Sequence, residues 1–115
     1  MAQFEYFELE EIVKNNNLNF SSENWNTQTI NNIIPFIKNY LKNKNKTINT
    51  RYSATKLKRI FEKLIGHIYI TCEDFVIAML ACGFKLSTKK MEFNFNIAEK
   101  DIKNIDKILN PEFYV

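Results

Sequence analysis

The chain has 115 residues, 45% of them hydrophobic, and a formal net charge of +3. That length fits a single domain, 1–115, with enough apolar side chains for a real core. No apolar run approaches the roughly 20 residues needed to span a bilayer, and two glycines leave no room for a Gly-rich phosphate loop.

Residues 1–13 carry Glu5, Glu8, Glu10 and Glu11 and no basic residue. That is the wrong charge for a signal or transit peptide, so a cytoplasmic location is expected, in a host cell or a virion interior. Tyr6, Leu9 and Val13 share a helical spacing and predict a short helix over 4–13, closed by the Asn run at 15–17. Residues 15–28 are rich in Asn, Ser and Thr and read as a loop, with Trp25 plugging it onto the core. The acidic N-terminal segment is 1–27, and the core proper is expected at about 30–110.

Ile30, Ile33, Ile34, Ile37 and Leu41 fall on one helical face, interrupted by Pro35. Proline fits a first turn or kinks an interior, so the helix either starts near Pro35 and runs to about 43, or bends there. Residues 43–50 form a Lys/Asn-rich polar connection. Ser53 is a good N-cap for a helix over 54–65. Leu57, Ile60, Phe61 and Leu64 make its buried stripe, Lys56, Arg59 and Lys63 lie opposite, and Lys58 pairs with Glu62 at i, i+4. Gly66 closes it, and 67–70 is a short β-branched and aromatic stretch.

Thr71 and Asp74 have capping-box spacing, and Ile70 and Phe75 occupy the positions of a hydrophobic staple. The helix they open runs to about 82, with Gly83 as its stop, and has no polar side chain after Asp74 except the cysteine thiol. Such a helix is buried on most sides, under the helices expected at 30–43 and 98–109. Residues 84–86, a turn at 87–90 and a strand at 91–97 predict a β-hairpin. In that strand Met91, Phe93, Phe95 and Ile97 alternate with Glu92, Asn94 and Asn96. Asn96 and Glu99 are positioned to cap a last helix, with Ile102, Ile105 and Leu109 facing inward and Asn110-Pro111 ending it. The predicted fold class is α+β, mainly helical: a small winged-helix-like domain with a β-hairpin in its C-terminal half.

Catalytic equipment is not expected. There is no G-x-S-x-G, no Walker-type loop and no H-E-x-x-H. Glu73 and Asp74 are better explained by favourable charge at a helix N-terminus than by acid/base work. His67 is the only histidine, which leaves no recognisable metal-ligand spacing. Cys72 and Cys82 lie about 15 Å apart along one predicted helix, too far for a disulfide, and read as small buried hydrophobes. No cofactor is expected.

Charge is the main functional signal. Residues 1–27 hold five Glu and one Lys, whereas 28–70 hold nine Lys and Arg against Glu62 alone. A segment this basic attracts phosphate backbones or an acidic protein surface. In winged-helix domains the second helix of the motif enters the major groove, but here that helix offers no base-reading side chain. The candidate nucleic-acid contacts are therefore Arg51, Tyr52, Lys56, Arg59, Lys63, Lys85, Lys89 and Lys90, gripping phosphates without sequence specificity, with Tyr52 available for stacking. Ile77 and Ala81 are the candidate interface for a partner or a second copy, should part of the apolar helix be uncovered.

Asn, Lys and Ile are favoured over Arg, Gly and Pro, as A/T-rich coding would produce. The run Leu57-Lys58, Tyr69-Ile70-Thr71, Asp74-Phe75-Val76, Gly83-Phe84 and Phe95-Asn96-Ile97 resembles a small uncharacterised module of phage, plasmid and large-DNA-virus proteins. Cys72 stands where that module prefers Asn. The resemblance covers residues 53–97 and implies a viral or mobile-element origin without assigning active residues. The expected function is non-enzymatic binding of nucleic acid backbone through a basic face. The alternative is a protein–protein module: a virion component, or an inhibitor of a host defence or replication complex.

Overall fold

The structure is a computed structural model that describes residues 3–21, 23–87 and 92–114. Its elements follow in the order α1 (Tyr6–Asn15), α2 (Thr27–Tyr40), α3 (Ala54–Ile65), α4 (Cys72–Ala81), β1 (Leu86–Ser87), β2 (Asn94–Phe95) and α5 (Glu99–Leu109). A short 3-10 turn, Pro111–Tyr114, follows. The chain is mainly helical, with one small antiparallel hairpin in register Leu86↔Phe95 and Ser87↔Asn94. Among the described residues no helix is long and apolar enough to cross a membrane.

Helix α4 is the hub. Residues 74–79 are all buried, and α2 packs along the helix with α1 and α3 on its other sides. The cover expected from the last helix comes from α1 instead; α5 packs on α2 and α3. Leu9 and Val13 of α1 are buried in the same core as Phe61, Phe75 and Met79. Trp25 anchors the following loop by stacking on Tyr6, with ring centroids 4.8 Å apart.

Helix α2 begins at Thr27, well upstream of Pro35, so the proline sits in the helix interior rather than in its first turn. The start is set by Asn26, whose Oδ1 accepts from the Thr29 N–H at 3.0 Å. The Asn26 N–H in turn donates to Asp74 Oδ1 at 2.8 Å, which ties the start of α2 to the start of α4. The box expected at Thr71 is thus only half of one. Thr71 Oγ1 accepts from the Asp74 N–H at 3.1 Å, while the Asp74 carboxylate is turned to Asn26. Burial pushes the Asp74 carboxyl up, and hydrogen bonding from Asn26 and Thr71 only partly opposes it.

Residues 67–70 form no strand. Gly66 and His67 both have positive φ, 129° and 64°, so the chain turns there, and the Thr71 cap of the next helix follows after only three more residues. Cys72 opens α4 and Cys82 caps it; both are half-buried rather than buried. Burial pushes the Cys82 thiol up to about 11 against the opposing charges of Lys38 and Lys44.

The β region departs most from the expected pattern. Asn94 and Asn96 should face solvent by alternation, yet both are buried. The connection 42–53 lies over them and closes the second edge of β2. The Asn45, Asn49 and Ala54 N–H groups donate to the Asn96, Phe95 and Phe93 carbonyls at 2.8, 2.9 and 2.7 Å. The side chains complete the clasp. Asn96 Nδ2 donates to the Asn45 carbonyl at 2.9 Å, and Asn96 Oδ1 accepts from the Lys85 N–H at 2.7 Å. Asn94 Nδ2 donates to the Asn49 and Tyr52 carbonyls, both at 3.3 Å. A primary amide supplies donors and an acceptor together, which suits a backbone too irregular for a regular ladder. With Asn96 engaged here, the N-cap of α5 is Ala98, which offers no side-chain cap. Its first turn is held instead by buried Asp101, which accepts from the Asn43 N–H and Nδ2 at 2.9 and 3.0 Å.

Asn96→Ala removes the bonds to the Lys85 N–H and the Asn45 carbonyl and is expected to cost about 1–3 kcal/mol in all. A lowered midpoint in chemical denaturation checks this; an unchanged midpoint rejects the clasp. Ile77 is 0% exposed, so it offers no surface to a partner, and the interface expected at Ile77 and Ala81 is closed except at half-buried Ala81. Ile77→Lys is therefore expected to unfold the domain, because it buries an unpaired charge; loss of the far-UV helical signal is the readout.

Candidate nucleic-acid interface

The site grows from the solvent face of α3. Ser53 caps the helix, its side chain accepting from the Lys56 N–H at 3.3 Å, and Leu57 and Phe61 are buried. With one side fixed in the core, Lys56, Arg59 and Lys63 are exposed along the other, spread over about 10 Å of helix. Arg59 and Lys63 make no ion pair among the described residues. Lys56 Nζ donates to the Arg51 carbonyl at 3.3 Å.

The α3–α4 turn continues this surface. Arg59, Glu62, Lys63, His67, Ile68 and Tyr69 line an open groove of about 390 Å³. Tyr69 is 78% exposed, a large value for a residue next to buried Ile70. Glu62 holds the turn at both ends: its carbonyl accepts from the His67 N–H at 2.6 Å and its Oε2 from the Ile70 N–H at 2.7 Å. Lys58 Nζ donates to the same Oε2 at 3.2 Å and lies 5.1 Å from the Tyr69 ring centroid. The Lys58–Glu62 pair is largely shielded, with side chains 13% and 18% exposed. Burial raises the Glu62 carboxyl, but the Ile70 N–H and the Lys58 and Arg59 charges outweigh it and hold it below the ordinary 4.5.

The other sequence-derived candidates divide. Arg51 is spent on Glu99, 2.9 Å away. Tyr52 is half-buried against the core, lining a cleft with Ile60 and Ile102, and is not a free stacking surface. Lys85 is exposed but lies just beyond Gly83, with Lys38 and Lys44 acting on nearby Cys82. Lys44 also sits 4.8 Å from the Phe84 ring centroid. This second basic group is at the C-terminal end of α4, whereas Arg59 and Lys63 flank the turn that leads into its N-terminal end, about 15 Å away along the axis. Lys85 therefore stands apart from Arg59 and Lys63, in a second, smaller basic group. Lys89 and Lys90 lie outside the described residues, as do Met91 and the rest of the turn after Ser87.

Tyr69 and His67 are what sequence reasoning missed. The available signal was spacing: a Gly66 stop and a Thr71 cap leave four residues between two helices, too few for a strand and its partner. Among the described residues, no group of three or more His, Cys, Asp or Glu side chains is arranged to hold a metal ion. No protein-family model, curated protein or solved structure matches the chain.

Glu62→Gln keeps an acceptor for the Ile70 N–H but leaves Lys58 without its counter-charge. It is expected to lower stability by about 1–3 kcal/mol near neutral pH. Because the folded carboxyl lies below its ordinary value, its contribution is full above 4.5 and is lost as pH falls through the folded value. The difference between wild type and Glu62→Gln in urea denaturation should therefore shrink on acidification below 4.5.

Proposed function

We propose that this chain is a non-enzymatic, winged-helix-like domain that binds nucleic acid backbone through α3 and the α3–α4 turn. The element order supports the winged-helix part: α2, the segment 44–53 bridged to β2, then α3, α4 and the hairpin. The observation that carries the function is the pair Arg59 and Lys63, exposed and without an ion pair among the described residues, beside an exposed aromatic ring. Guanidinium and ammonium groups that make no ion pair are available for phosphates, and Glu62 in the same groove is engaged by Lys58.

The binding is not sequence-specific in this reading. Helix α4 is the element that would enter a major groove, and α1, α2 and α3 cover it. Without base-edge donors and acceptors in reach, the contacts are to phosphate and sugar. The resemblance of 53–97 to phage, plasmid and large-DNA-virus modules agrees with a mobile-element or viral source and a place in the host cytoplasm. A second reading, a docking surface for an acidic protein, is favoured by Ile68, which is 45% exposed next to Arg59 and Tyr69. An aromatic and an arginine at the centre of a patch are typical of protein hot spots.

Titration of fluorescent oligonucleotides of unrelated sequence separates the two. Similar affinities that fall steeply with salt are expected. Arg59→Ala with Lys63→Ala should weaken binding to all of them alike. The log–log salt slope should become shallower by about 0.7–0.9 for each phosphate no longer neutralised. Absence of binding even at low salt would overturn the proposal in favour of the acidic protein partner.

A further inference from the structure

We infer that the nucleic acid taken at this face is single-stranded, with one unpaired base stacked on Tyr69 and flanking phosphates on Arg59 and Lys63. The inference rests on the reading of this face as a nucleic-acid site and narrows it. It starts from the ring itself. An aromatic side chain that is 78% exposed has most of its hydrophobic surface in water, although Ile70 one residue on is fully buried. The turn therefore projects Tyr69 outward rather than failing to bury it.

The projection is fastened by specific contacts. Gly66 and His67 set the reversal with two successive positive φ values. Glu62 fastens the turn at His67 and Ile70, and Lys58, itself bonded to Glu62, braces the ring at 5.1 Å. A ring presented this way loses little freedom when a ligand stacks on it. Of its neighbours in the groove, Arg59 and Lys63 are complementary to phosphates, and the Glu62 carboxylate is engaged by Lys58 and the Ile70 N–H. An aromatic platform flanked by available cations matches the chemistry of a base and its own backbone.

Duplex fits the same surface poorly. In a duplex the π-faces of the bases are stacked on one another, so Tyr69 would meet only sugar and phosphate edges. Groove insertion is unavailable because α4 is covered on the side where α1 lies. A strand with unstacked bases uses the ring and the cations together. Stacking and phosphate contacts do not require the 2′-hydroxyl, so DNA and RNA strands share the recognised chemistry.

The test uses the full chain and labelled strands of about 12 nucleotides, within the site size of single-strand binders: oligothymidylate, oligouridylate and a mixed-sequence duplex. Wild type should bind both single strands more tightly than the duplex, and any preference between the two identifies the natural strand. Tyr69→Ala should lower single-strand affinity by about 5- to 150-fold, leave duplex binding within about twofold, and leave the salt slope unchanged. Tyr69→Trp should retain single-strand binding and show indole quenching with single strands only. Equal binding of strand and duplex, with Tyr69→Ala without effect while Arg59→Ala with Lys63→Ala still weakens both, would overturn this inference and leave the wider proposal standing. No binding of any probe would overturn both.

Discussion

After Asp74, helix α4 has no side chain that forms a strong hydrogen bond, and this one fact organises the molecule. Such a helix has no face to give to water, so it has to be enclosed. Helices α2 and α3 cover two sides, and the acidic N-terminal helix α1 closes what remains through Leu9 and Val13. The polar anchors stay at the helix start, where Thr71 caps the backbone and Asp74 receives the Asn26 N–H. Helix α4 is thereby committed to the core, and the exposed side chains of Arg59, Lys63 and Tyr69 lie on α3 and the turn after it.

The second organising element is polar. Strand β2 has only β1 as a regular partner, and its other edge would lie open. An open edge presents unpaired N–H and C=O groups. Residues 42–53 meet this region only in isolated bridges, and asparagine amides fill the gaps where backbone pairs are missing. Among the described residues no buried side-chain nitrogen or oxygen is left without a partner. The asparagines are thus partly a structural requirement and not only a trace of coding composition. Asp101, fixed to Asn43, extends the same arrangement to the start of α5.

Local signals were legible in the sequence and distant ones were not. The span of α3, its Ser53 cap, its Gly66 stop and the Lys58–Glu62 pair follow from spacings of four residues or fewer and match the structure. The Thr71 cap and the inward faces of α5 are of the same kind. The start of α2 was missed because Asn26 sits in a run of Asn, Ser and Thr where any of several residues can cap. The burial of Asn94 and Asn96 was missed because alternation describes one strand, not what crosses it from a segment more than 40 residues earlier. The candidate site shows the same division. Arg59 and Lys63 could be placed by helical period, but the neutralisation of Arg51 depends on Glu99, 48 positions away. Tyr69 was hidden by composition, since a β-branched and aromatic run suggests a strand until the two caps around it are counted.

The charges that remain free do so for a physical reason. Lys58 and Glu62 are shielded and paired within α3, and Arg51 is matched by Glu99, which joins the segment before α3 to the start of α5. Among the described residues Arg59 and Lys63 join no such pair, and the helix does not need them, since its stability comes from Leu57 and Phe61 on the opposite side. Glu62 links the two roles. The carboxylate that neutralises Lys58 also fixes the turn bearing Tyr69, so the exposed ring is held by the same contacts that close the end of α3. The position of the Tyr69 ring is therefore set by the same contacts that form the helix junction beneath it.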